Sequence, residues 1–196
     1  MPTELSDRLQ ATDAALTARV SLGDADALAP LYDRHRGTVY RFALLWSGQA
    51  AIAADVTQDV FIHLLTRAGD YAPERGPLVP WLLGIARNFV HRRTGADARY
   101  VANDESMADE PAASDATPET ALALRRDLDR LRAAIAALPP HYRDVLVLVE
   151  LAERSYAEAA AICGCEINTV RSRLSRARAH LTRWLDPVQG STAARG

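Results

Sequence analysis

The chain has 196 residues, 48% of them hydrophobic, and a formal net charge of −2, the composition of ordinary globular protein with room for one or two small domains. No apolar run approaches the roughly 18 to 20 residues of a membrane helix, and the N-terminal MPTELSDRLQ has neither the basic start nor the apolar stretch of a signal segment, so the expected compartment is the cytoplasm. Every basic residue is arginine. The base composition of a GC-rich genome accounts for that bias together with the alanine excess, and arginine also suits bidentate contacts to phosphate and guanine.

Strand signals are nearly absent and apolar residues recur at helical spacing, which predicts an all-α fold. A first helix over Leu5–Val20 ends at SLGD, where Gly23 terminates it and Asp24 caps the next. The second carries Leu28, Leu31, Tyr32, Val39, Phe42 and Leu45 to about Trp46. A third spans roughly Ala50–Arg67 with Ile52, Val56, Val60, Phe61, Leu64 and Leu65 on one side. The glycines and prolines of GDYAPERGPLVP predict a loop. From Trp81 a helix resumes in WLLGIARNFVHRR, with Trp81, Leu82, Ile85 and Phe89 as its apolar stripe and Arg87, Asn88, Arg92 and Arg93 at or near its exposed side. Trp81 and Phe89 are read as core rather than as stacking groups.

Between Val101 and Thr120 six acidic residues stand without a basic one among Ala, Ser, Thr and Pro. Such a stretch buries too little apolar surface to offset its ordering entropy and reads as a flexible acidic linker between two small helical domains. The second domain opens with an amphipathic helix over Pro118–Leu138, stopped by Pro139 and Pro140, and continues with a helix through Leu151. Ser155 with Glu158 three residues on has capping-box spacing, Gly164 interrupts the chain, and Asn168 is the expected N-cap of a last helix to about Leu185. Helix, short turn, helix is the implied motif, with residues 187–196 a disordered tail.

That last helix contains four arginines between Asn168 and Leu181 with no acidic residue among them. At about 100° per residue, Val170, Leu174, Ala177, Leu181 and Trp184 fall on one stripe, Ser172, Ser175, Arg176 and Ala179 lie opposite, and Arg171, Arg173 and Arg178 flank them. Apolar groups behind, polar groups in front and cations at the sides are the design of a DNA recognition helix. A solvated surface helix is the competing reading, but such a face commonly alternates sign to gain i,i+4 pairs. Cys163 and Cys165 are too close for an ordinary disulfide and lack usual zinc spacing, so a metal site with His141 or His180 is set aside and no cofactor is expected.

In their order and spacing these segments resemble a bacterial RNA polymerase sigma factor of the extracytoplasmic-function group of the sigma-70 family. GDADALAPLYDRHRGTVYRFA resembles the opening helix of the family's first domain, DVTQDVFIHLLTR its D-x-x-Q-[DE]-x-F helix, and PERGPLVPWLLGIARNFVHRR its −10 loop and helix. LPPHYRDVLVLVELAERSYAEAAAICGCEINTVRSRLSRARAHL is similar to its −35 module. The resemblance implies a region 2-like domain over 1–100, a linker over 101–120 and a region 4-like domain over 121–186. It implies core polymerase contacts at Asp55, Gln58, Asp59 and Phe61. It places −10 contacts at Tyr71, Arg75, Arg87, Asn88, Arg92 and Arg93, and −35 contacts at Thr169, Arg171, Ser172, Arg173, Ser175 and Arg176.

Implied partners are core RNA polymerase, promoter DNA and an anti-sigma factor, with no small-molecule substrate and no membrane insertion. The chain departs from the family pattern at Glu166 and Asn168, where proline and glycine are frequent, at Ala159, and at Pro77 and Pro80 in the loop that tunes −10 specificity. The alternative is a stand-alone helix-turn-helix regulator with an N-terminal sensing or dimerising domain, which leaves the first-domain motifs unexplained. A recombinase-type enzyme would need a nucleophile beside a base or arginine cluster, a setting Ser47 and Ser155 lack in sequence. The arginine helix argues against a helical adaptor without DNA contacts.

Overall fold

Thr12 starts the first helix: its hydroxyl oxygen accepts from the Ala15 backbone N–H at 3.2 Å, satisfying an amide with no intrahelical acceptor. The computed structural model describes residues 11–96 and 120–185, the segment 120–126 as backbone only. Helix α1 runs Asp13–Ser21, so the Leu5–Gln10 part of the expected first helix lies outside the described residues. Gly23, at φ 92°, turns the chain, and the Asp24 carboxylate accepts from the Asp26 N–H. A single 3-10 turn over Ala25–Ala27 precedes α2, Leu28–Ser47, which stops at left-handed Gly48. Helix α3 is Ala50–Arg67, the span its periodicity predicts.

The glycine and proline segment differs from expectation. It contains two 3-10 turns, Ala68–Asp70 and Pro73–Arg75, and α4 begins at Leu78, three residues before Trp81, continuing to Thr94. Pro80 is the third residue of α4, where no intrahelical acceptor awaits its nitrogen and its ring meets no preceding turn. Gly76 stands at φ 139°, a conformation open to glycine, and the Tyr71 hydroxyl donates to its carbonyl at 3.0 Å, closing the loop.

In the second lobe α5 is Thr120–Ala137 and α6 is Pro140–Leu146. The expected helix through Leu151 loosens into a π-turn over Val147–Leu151, and Ala152 N–H reaches back to the Val147 carbonyl at 2.8 Å. Helix α7, Tyr156–Cys163, opens with the capping box of Ser155 and Glu158. It closes at left-handed Gly164, with Cys165 N–H on Ala160 O and Gly164 N–H on Ala161 O. Helix α8 is Ile167–Leu185, so Asn168 sits inside the first turn rather than capping it, and its side-chain oxygen accepts from Arg171. The acidic segment 101–119 and the tail 187–196 lie outside the described residues.

Among the described residues the fold is all-α, in two helical regions. In the first lobe α2, α3 and α4 pack on one another, and α1 lies on α2. Phe42, Val56, Val60, Leu64, Leu82 and Leu83 are buried between them, each full burial contributing about 1.5–3 kcal/mol. In the second lobe α8 packs on α5, α6 and α7 around Val145, Leu148, Ala159, Val170 and Leu174. The lobes meet where α4 lies against α7 and α2 against the π-turn and α5.

Candidate functional site

The face of α8 turned from the core is the one the angular reading selects. Val170, Leu174 and Ala177 are buried, whereas Arg171, Ser172, Ser175, Arg176, Arg178 and Ala179 are exposed and Thr169 and Arg173 half-buried. The cations are held in place rather than trailing in water. The Arg171 guanidinium lies 5.9 Å from the Tyr156 ring centre, Arg176 donates to the Tyr142 hydroxyl at 3.4 Å, and Arg178 pairs with Glu150. Tyr142, Glu150 and Tyr156 lie within the stretch that resembles the −35 module, but nothing in their spacing marks them as partners of the α8 arginines. Tertiary placement alone brings them to this helix.

A second polar surface lies on α4 and the loop before it. Arg75, Asn88 and Arg92 are exposed, and Tyr71 is half-buried with its hydroxyl tied to Gly76. Burial, with the nearby charges of Asp13 and Glu74, pushes the Tyr71 phenol above its ordinary pKa, so it stays a neutral donor. Trp81 and Phe89 are half-buried and pack on the core, as expected, but their exposed edges join an aromatic row. The His63 ring, 6.0 Å from Trp81 and 6.3 Å from Phe89, lies between them; Tyr71 stands 5.7 Å from Trp81 and Arg92 lies 4.5 Å from the Phe89 ring centre. A base lifted out of its stack meets π-faces and hydrogen-bonding groups here. His63, on α3, has no sequence signal for this placement.

Arg87 and Arg93, expected on the same surface, are engaged elsewhere. Arg93 Nη1 donates to Asp55 at 3.0 Å, and its Nε and Nη2 donate to Asp59 Oδ2 at 3.1 and 2.5 Å. Asp55 and Asp59 thereby form an acidic edge bridged by one guanidinium. Gln58 and Phe61 turn instead to a groove of about 750 Å³ between α2 and α3, lined also by Leu28, Tyr32, Ile62 and Leu65. Phe61 is buried in its floor, edge-on to Tyr32 with ring centres 4.8 Å apart. Exposed Tyr32, Ile62 and Leu65 make the groove an apolar landing surface beside the acidic edge. The four residues thus divide into a groove pair and an edge pair on one helix.

Arg87 is only 13% exposed and faces the seam between the lobes, where its Nε donates to Asp144 Oδ2 at 2.7 Å. Asp144 Oδ1 also accepts from Trp46 Nε1 at 2.8 Å and from His91 Nε2 at 2.8 Å. Burial alone would raise the Asp144 pKa, but the His91 hydrogen bond and the Arg87 charge outweigh it and hold the carboxyl below its ordinary value. An ionised carboxylate only accepts, so His91 Nε2 carries a proton. Next along the chain, Arg143 places its guanidinium 4.4 Å from the Trp46 ring centre and donates to the carbonyls of Ala136 and Leu138 at the end of α5. Among the described residues no group of three or more His, Cys, Asp or Glu is placed to hold a metal ion.

Two stretches match known family models: residues 31–100 match Sigma-70 region 2 and residues 128–181 match Sigma-70, region 4. The chain is 33% identical to the ECF RNA polymerase sigma factor EcfG of Rhodopseudomonas palustris over 72% of its own length and 75% of that protein. It is 31% identical to the ECF RNA polymerase sigma factor SigC of Mycobacterium tuberculosis, covering 91% of this chain and 92% of that one. Among solved structures it is similar to CnrH in complex with the cytosolic domain of CnrY, with a TM-score of 0.65 at 27% identity over 89% of this chain and 97% of that chain. With these two regions in order, and relatives matched over most of their lengths, the chain belongs to the ECF RNA polymerase sigma factors of the sigma-70 family, non-enzymatic subunits that bind core polymerase and promoter DNA.

Proposed function

We propose that residues 1–100 dock on core polymerase and capture the −10 strand, that residues 121–186 read the −35 duplex, and that 101–120 tether the two. The tether lets both DNA sites engage together and converts the second contact into an intramolecular one. On α8, Ser172, Ser175 and Arg176 face base edges, while Thr169, Arg171 and Arg173 take flanking phosphates. On the first lobe, Asn88 and the row of Tyr71, Trp81, His63 and Phe89 receive an unstacked base. Arg75 and Arg92 neutralise its backbone, as Arg87 does once it is released from Asp144. The groove with Gln58 and Phe61, together with the Asp55 and Asp59 edge, takes the polymerase helices, and polymerase supplies the chemistry.

The observation that carries this reading is the presence of two separate cation-bearing helix surfaces, on α4 and α8, in a chain of net charge −2. Transcription in vitro with core polymerase over a promoter library tests it: initiation from promoters that share two spaced elements is expected. Tight, sequence-specific binding to intact duplex without polymerase would overturn it in favour of the stand-alone regulator. An anti-sigma partner belongs to the same proposal, since CnrH was solved with the cytosolic domain of CnrY and RpoE of Bartonella quintana with the anti-sigma factor NepR. The expected compartment is the cytoplasm, where polymerase works; no described helix is long and apolar enough to cross a membrane.

A further inference from the structure

We infer that Tyr142 is a positioning residue that sets −35 specificity: its hydroxyl, delivered from α6, fixes the direction in which the Arg176 guanidinium leaves the recognition helix. The inference rests on the proposed −35 role of Arg176. Arg176 Nη1 donates to the Tyr142 hydroxyl oxygen at 3.4 Å, across 34 residues of chain. Arg176 is exposed on the face of α8 turned from the core, whereas Tyr142 is half-buried and packs against the core. The fixed end of the contact is therefore the tyrosine.

Two histidines hold that ring. His141 stands edge-on to it with ring centres 4.1 Å apart, and His180 lies 5.6 Å away, tilted by 38°. The next four residues of α6, Arg143 to Leu146, are buried, and α6 packs on α8, so the tyrosine is carried on a fixed element. His180 is one turn beyond Arg176, and Tyr142 thus meets the recognition helix at two successive turns, once through its ring and once through its hydroxyl. An unrestrained arginine samples many rotamers, yet its planar fork reads a guanine edge only when two donors lie in the plane of the base. An anchor set before DNA arrives removes part of that ordering cost for the matching base and restricts the guanidinium from following a mismatched one. The kind of anchor matters as well. Glu150 neutralises the cation it holds, Arg178, and the Tyr156 ring gives Arg171 a face without a fixed direction. A hydroxyl accepts one directed bond and leaves the positive charge in place.

The test assembles the full chain on core polymerase and measures binding to promoter duplexes that carry each single base change across the −35 element, at several salt concentrations. Wild type, Tyr142→Phe, Arg176→Ala and the double variant are compared, with the denaturant midpoint of each chain. Tyr142→Phe keeps the ring against His141 and His180 and removes one oxygen. It is expected to lower discrimination by about two- to tenfold, the worth of one hydrogen bond, at the same base position that Arg176→Ala affects, with salt slope and midpoint unchanged. In the double variant it should add nothing to Arg176→Ala. Further loss there would show Tyr142 reading DNA itself and would overturn the inference, as would a uniform loss across the panel or a lowered midpoint, which mark a structural role. If Arg176→Ala loses discrimination and Tyr142→Phe does not, the inference alone falls. If Arg176→Ala loses none, the proposed −35 role of Arg176 falls and the inference with it.

Discussion

The indole N–H of Trp46 donates at 2.8 Å to Asp144, a residue 98 positions away in the other lobe. Trp46 is 1% exposed, tilted against the His91 ring at 4.9 Å and overlain by Arg143, so one aromatic side chain organises a polar seam from both sides. Its ring supplies apolar area and a face for a cation, while its single donor supplies direction.

This seam has a defined pH response. The Asp144 pKa lies below its unfolded value of 3.8 because the His91 hydrogen bond and the Arg87 charge overcome the burial that opposes them. A lowered folded pKa gives stability that is present above the unfolded value and lost as pH falls through the folded one. Denaturant unfolding of the wild type should therefore show no Asp144 contribution to pH dependence between about pH 5 and 8 and a loss in stronger acid. Asp144→Asn should lack that acid limb.

Cys163 reports the same seam chemically. Burial, then the charge of Asp144, pushes its thiol up to about 12, so the reactive thiolate is scarce at neutral pH. In a Cys165→Ser background, alkylation by iodoacetamide at pH 8 is expected to be at least about 100-fold slower in the folded chain than in urea. Adding Asp144→Ala should speed it; equal rates would show that the thiol is not shielded by the seam.

The two arginine roles on α8 separate experimentally. Arg176→Ala should cut discrimination at one −35 position by about 1–3 kcal/mol, whereas Arg171→Ala should weaken binding across sequences and lower the salt slope by about one unit. Binding to a panel of −35 duplexes at several salt concentrations, with the chain assembled on polymerase, measures both. Tyr156→Ala should follow Arg171→Ala in direction, since the ring holds that guanidinium.

Arg93 is expected to matter for polymerase more than for DNA. Its pairs with Asp55 and Asp59 are at the surface, so Arg93→Ala should change stability by less than about 1 kcal/mol. It should weaken competition for core polymerase because one guanidinium no longer fixes Asp55 and Asp59 in a single arrangement, with little effect on −10 strand binding. The reverse pattern would return Arg93 to the DNA surface.

Glu153 is the one non-glycine residue with positive φ, 54°, among the described residues, in the turn between the π-turn and α7. A side chain there crowds its own backbone, and Glu153→Gly should stabilise the chain by about 0.5–1 kcal/mol, read as a higher denaturant midpoint at unchanged slope.

The order of the helices, the Ala50–Arg67 span, the capping box at Ser155, the Gly164 turn and the faces of α8 were legible in the sequence because each depends on neighbours within about two turns. The start of α4 at Leu78 was not, because Pro80 signals either a loop or a first helical turn and packing of Leu78 decides between them. The site was legible in the same measure. Exposed Ser172, Ser175 and Arg176 follow from angle alone, whereas Arg87 and Arg93, one stripe apart on α4, differ only in what the fold brings to meet them. Asp144 reads in sequence as a polar residue on a helix edge. Only the tertiary structure buried it, because its donors lie 53 to 98 residues away and no local periodicity records which face of one lobe covers another.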